Sequence, residues 1–138
     1  MYSKILYALD IDSKANLDKA IKIAEQLNAE LFIGYATYLG ESYQDDEVYF
    51  GKHTGDEIVD EDKKDLERKI ESLFTETTIS KDHIYIIDGP VGKAIDKLAT
   101  SLSVELVIVA KSHHHFSLMM KNDTLIRLTT HYDFLSFN

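Results

Sequence analysis

Apolar residues along this chain follow two rhythms. In some stretches they form short unbroken runs. In others they recur every three or four residues. Lys4 to Asp10 carries Ile-Leu-Tyr-Ala-Leu with no polar alternation, which predicts a strand covered on both faces. Asp12 and Ser13 are helix N-cap types, and Leu17, Ala20, Ile21, Ala24 and Leu27 then share one helical face. Asn28 is a stop, and Glu30 to Tyr35 reads as the second strand. From Glu57 to Thr77 the helical rhythm returns through Val59, Leu66, Ile70, Leu73 and Phe74. His83 to Asp88 is a third strand. Gly89-Pro90-Val91-Gly92 reads as a turn. Val91, Ile95, Leu98 and Leu102 make another helical stripe, and Leu106 to Ala110 is a fourth strand. Leu118, Leu125 and Leu128 allow a fourth helix over 118–130. Phe134 to Phe137 is a short last strand. Between them, 38–56 has no clean period and mixes acids with aromatics, as a surface excursion would.

Strands that alternate with helices and read as apolar runs imply a parallel sheet between helical layers. The expected fold is α/β: a single domain over 1–138, with a five-stranded, mainly parallel sheet and four helices on both faces. No repeat or linker divides the chain. In such sheets ligands bind beyond the carboxyl ends of the strands, at a topological switch point. Those ends carry Asp10, the residues after Tyr35, Gly89, and Ala110 to His115.

Composition narrows the function. The 138 residues are 44% hydrophobic, enough for a real core, and the formal net charge is −9. Such an acidic balance repels phosphate backbones, so no nucleic-acid partner is expected. The chain has no cysteine, which removes disulfides, thiol nucleophiles and Cys-type zinc sites. No signal-like segment opens it and no apolar run reaches the ~18 residues of a membrane span. A cytoplasmic location without membrane contact is the expectation.

The candidate chemistry concentrates after the fourth strand, in Lys111-Ser112-His113-His114-His115. Imidazole is a common metal ligand, and a metal-dependent hydrolase built on the triplet is conceivable. Adjacent loop residues do not converge on one ion easily, and no HExxH spacing supports them. No metal and no cofactor are expected. Gly89 to Ala94 resembles the end of a Walker A loop, but the earlier glycine position is Ile87 and the hydroxyl position is Ala94. A β–α turn is the better reading. No Gly-x-Ser-x-Gly elbow and no Ser-His-Asp set is present. Catalysis is not expected.

The opening Lys-Ile-Leu-Tyr-Ala-Leu-Asp, followed by Ser and an Ala-rich helix, is similar to the start of universal stress proteins. Ile87-Asp88-Gly89-Pro90, leading to Val-Glu-Leu-Val-Ile-Val, resembles their third strand and following helix. The tail from Ser117 to Leu135, with His131-Tyr132-Asp133-Phe134-Leu135, resembles the A-like branch. The resemblance covers nearly the whole chain outside 38–65. It implies a Rossmann-like fold of the adenine-nucleotide alpha-hydrolase type, and a role in stress resistance. Nucleotide-binding members carry Gly-x-x-Gly and, after nine residues, Gly-Ser or Gly-Thr. Glycine there lets backbone N–H groups approach phosphates. In this chain the glycine positions fall on Ala110, His113 and Asp123, with Thr124 in the hydroxyl position. The resemblance therefore implies the branch that lacks ATP binding. The degenerate pocket would comprise Asp10, Gly89, Ala110, Lys111, Ser112, His113, Asp123 and Thr124. A nucleotide-binding regulator using that pocket for ATP or AMP is the alternative.

The last strand carries the other functional signal. Phe134, Leu135, Ser136 and Phe137 are mostly apolar, and a terminal strand at a sheet edge leaves backbone groups unpaired. In relatives this strand pairs with its two-fold copy. A homodimer through the C-terminal strand is expected, with an unidentified protein partner as a further possibility.

Overall fold

A computed structural model describes residues 2–37, 57–88, 91–111 and 132–137. The elements are β1 (Lys4–Ala8), α1 (Lys14–Gln26), β2 (Glu30–Thr37), α2 (Glu57–Phe74), a 3-10 turn (Lys81–His83), β3 (Ile84–Asp88), α3 (Val91–Leu102), β4 (Leu106–Ala110) and β5 (Asp133–Phe137). The strands form one sheet in the order β3-β2-β1-β4-β5, and every neighbouring pair is parallel. The expected α/β architecture holds. Three α-helices lie among the described residues; the helix expected over 118–130 lies outside them, as does the excursion at 38–56.

Both faces of the sheet are covered, which explains the unbroken apolar runs. On one face Ile5, Tyr7, Leu9, Ile33 and Ile108 pack under α1 and α2 through Leu17, Ala20, Ile70 and Phe74. On the other, Leu6, Ala8, Phe32 and Val107 pack under α3 through Ile95, Leu98 and Ala99. Gly34 in β2 lets α3 settle closely. A β-carbon there would stand 2.7 Å from Leu98 Cδ2 and 3.3 Å from Ile95 Cδ1.

Two expectations need correction. Gly92 does not belong to a turn; α3 already begins at Val91. Gly89 and Pro90 lie outside the described residues. Leu27 does not join the buried face of α1. It is the C-cap residue, at the very end of the helix, and is 36% exposed.

Helix ends follow local chemistry. Ser13 caps α1, its Oγ accepting from the Asn16 N–H at 3.1 Å. Asn28 after α1 and Ser103 after α3 have φ of 54° and 57°, the left-handed conformation that closes helices. The Val104 N–H then reaches back to the Ala99 carbonyl at 3.1 Å.

Candidate functional site

The sheet order places a switch point between β1 and β4. The β1–α1–β2 connection runs to one side of β1, and β4 lies on the other. The carboxyl ends of those strands therefore define the expected ligand end.

At the end of β1 the chain remains buried through Leu9, whose N–H donates to the Gly34 carbonyl at 2.8 Å. Asp10 follows and is only 5% exposed. A buried carboxylate must be hydrogen-bonded. Its Oδ1 accepts from the Asp12 N–H at 3.2 Å, and its Oδ2 from Asn16 Nδ2 at 3.3 Å. Its carbonyl accepts from the Ser13 N–H at 3.1 Å. Asp10 thus closes the β1–α1 turn on itself. Asp12 faces outward, and its Oδ1 accepts from Lys69 Nζ at 2.9 Å, joining this turn to α2. That hydrogen bond and the Asp12 charge raise the Lys69 ammonium pKa. Burial, then the Asp12 charge, raises the Tyr35 hydroxyl alongside, and Lys69 opposes the shift.

Below this turn Tyr7 is fully buried, and its hydroxyl has no hydrogen-bond partner. Burial pushes that hydroxyl far up. The Asp10 backbone N–H acts in the opposite direction without reaching hydrogen-bond geometry. At the end of β4, Ala110 is fully buried beside Phe137 of β5, and Lys111 is exposed. The Lys111 N–H donates to the Phe137 carbonyl at 2.7 Å, so that backbone donor serves the sheet. The structure therefore brings Asp10, Ala110 and Lys111 to one end of the sheet. Gly89, Ser112, His113, Asp123 and Thr124 lie outside the described residues, with His114 and His115. Among the described residues no group of three or more His, Asp or Glu side chains is placed to hold a metal. No described helix is long and apolar enough to cross a membrane.

Asn16, Lys69 and the Tyr7 hydroxyl were not singled out from the sequence. Asn16 had a detectable signal: it stands three residues after the Ser13 cap, where a polar side chain commonly turns back toward the helix entrance.

The second candidate surface is the β5 edge. Phe134 and Phe137 are half-buried and Leu135 is 38% exposed. Phe137 is held from behind by the Tyr7 ring, centroid to centroid 6.4 Å at 27°, with Lys19 Nζ 5.9 Å from its centroid. At the other end of β5, the Tyr2 hydroxyl donates to Asp133, which is the main cause of its raised pKa. Behind the start of β5, the Tyr132 hydroxyl donates to Asp96 at 2.5 Å, and burial with that acidic partner raises its pKa.

The sequence model described as the universal stress protein family matches residues 1–131. The chain belongs to the universal stress protein family. It is 26% identical over 117 residues to universal stress protein A homolog 2 of Coxiella burnetii (strain RSA 493 / Nine Mile phase I), covering 83% of this chain and 78% of the relative. The fold is similar to that of a universal stress protein of Pseudomonas aeruginosa UCBPP-PA14, with a TM-score of 0.66 at 16% identity. That match covers 99% of this chain and 48% of the other, so the chain spans about half the length of the Pseudomonas protein. A universal stress protein solved in complex with cAMP matches at a TM-score of 0.55 and 16% identity, covering 99% of this chain and 97% of that one.

In this universal stress protein the Asp10 turn is a polar knot at the carboxyl end of β1, and β5, like β3, is an edge strand that one described strand pairs.

Proposed function

We propose that this universal stress protein acts in the cytoplasm as a homodimer that contributes to stress resistance, without binding ATP and without chemistry of its own. The observation that carries this reading is the state of Asp10. Both carboxylate oxygens are held within the β1–α1 turn, and the side chain is 5% exposed. A ligand at the switch point would have to break that knot. It would also meet the Asp12 carboxylate and a Lys69 ammonium already bonded to it. The sequence adds Ala110, His113 and Asp123 where nucleotide-binding relatives carry glycine. The outer side of β5, which no described strand pairs, carries exposed Leu135 between two half-buried phenylalanines and supports the dimer.

A nucleotide-binding regulator is the second reading. In its favour is the shared fold with a relative that holds cAMP. Two measurements separate the readings. Sedimentation at about 20–50 μM should give a dimer. A thermal scan with ATP, AMP or cAMP present should leave the midpoint unchanged; a rise that grows with nucleotide concentration would favour the regulator.

A further inference from the structure

At the amino ends of β2 and β3, opposite the Asp10 end of the sheet, α1 and the turn before β3 enclose an open cleft of about 230 Å³. Its walls are largely apolar. Ile21 and Ala24 of α1, Leu31 of β2 and Ile79 line it. Its charged groups are of one sign. Glu25 of α1 and Glu30, the first residue of β2, both line it, and no Lys or Arg does. Lys81, close by in the chain, lines a neighbouring cleft instead, with its Nζ 4.0 Å from Glu71.

One of the two carboxylates is held in place. His83 Nε2 lies 2.6 Å from Glu30 Oε2, and the His83 ring stands edge-on to Phe32, centroids 4.7 Å apart at 69°. Among the described residues that is the one hydrogen bond at the Glu30 carboxylate, so Oε1 is left for a second donor. The backbone adds to the same field. Helix α1 ends at Gln26 with no basic residue in its last turn, so its own side chains leave the negative end of its dipole uncompensated. Two carboxylates and a helix carboxyl end beside an apolar wall are complementary to a cation that carries an apolar body. The volume sets its size. A cavity of about 150 Å³ holds a benzene ring. The cleft therefore has room for one ring and a short aminoalkyl arm.

We infer that this cleft binds a small organic ammonium ion, its amine on Glu30 and Glu25 and its apolar body over Ile21, Leu31 and Ile79. A neutral molecule of the same shape lacks the charge that the carboxylates attract, and an anion is repelled by them. The site is independent of the ATP and dimer readings. It lies at the other end of the sheet from Asp10, and β1 and β4 separate β2 from β5.

Titration of the full chain with phenethylamine, followed by amide NMR, tests the assignment. Saturable shifts are expected at residues 24–31 and 78–83, around the cleft, with a Kd at or below about 1 mM. Phenethyl alcohol should bind at least about tenfold more weakly, the scale of one hydrogen bond to a charged group. Phenylacetate should leave the spectrum unchanged. Glu25→Gln, at an exposed helix position, and Glu30→Gln should each weaken phenethylamine by a similar factor. The signals away from the cleft report that each variant is folded. No shift, shifts spread over other surface carboxylates without saturation, equal binding of the alcohol, or a folded Glu25→Gln chain that binds as tightly as the unsubstituted one overturns the assignment.

Discussion

Asn16 Nδ2 donates to Asp10 Oδ2 across 3.3 Å, joining the first turn of α1 to the end of β1. Both residues are buried, at 7% and 5% exposure. Asp10, at the carboxyl end of β1, is a structural brace. Replacing Asp10 by Ala removes the carboxylate that accepts from Asn16 Nδ2 and from the Asp12 N–H. The expected cost is about 1–3 kcal/mol, the scale for losing hydrogen bonds to a buried charged group. Urea unfolding at neutral pH measures it as a lower midpoint at unchanged slope. A shift within error of zero would mean the brace is not structural.

The Tyr7 hydroxyl gives the opposite sign. It is buried without a partner, while its ring stacks on Phe137. Tyr7→Phe keeps the ring and removes the unsatisfied group. Stability should be unchanged or raised, by up to about 1–2 kcal/mol, the desolvation cost of such a hydroxyl. Loss of stability would show that the hydroxyl has a hydrogen-bond partner in solution.

Ser103 ends α3 with φ of 57°. A side chain in this left-handed conformation costs about 1 kcal/mol that glycine avoids. Ser103→Gly should therefore raise the thermal midpoint by a few degrees, as ~1 kcal/mol does in a domain of this size. Differential scanning calorimetry reads it directly.

What the sequence revealed, and what it concealed, follows from the range of the forces involved. Leu106 to Ala110 was legible to the residue, because an apolar run buried on both faces has sharp polar ends. Ser13 was legible as a cap, because its partner lies three residues on. Gly92 misled, because a Gly-Pro pair signals a turn whether or not a helix follows at once. The Lys81–His83 turn was missed, since its residues are all polar and its bracing is nonlocal: His83 Nε2 meets Glu30 Oε2 at 2.6 Å. At the candidate site, Asp10 was identified but its condition was not. The bond from Asn16 and the Lys69–Asp12 bridge depend on where α1 and α2 land on the sheet.

Glu105 makes a pH prediction. Its Oε1 accepts from the Ser3 N–H, from Ser3 Oγ at 2.8 Å and from the Lys4 N–H at 3.1 Å. The Ser3 backbone bond, then the Ser3 hydroxyl and the Lys4 backbone, hold its carboxyl below the ordinary 4.5. A depressed carboxylate stabilises the fold above its unfolded value and loses that contribution as pH falls through the folded value. Glu105→Gln should therefore be less stable than the unsubstituted chain at pH 7. The gap should close as pH falls below 4.5. Thermal midpoints across pH 3–7, the carboxylate range and above, test the sign. A gap that widens in acid would contradict it.

The central claim is that the ligand end of this universal stress protein is closed to ATP. Titration calorimetry of the full chain with ATP, repeated with AMP, tests it most directly. The expected result is no saturable heat, corresponding to a Kd weaker than about 1 mM, or less than ~4 kcal/mol of binding free energy. Saturable binding with a Kd near 1–10 μM, about 7–8 kcal/mol, would contradict it.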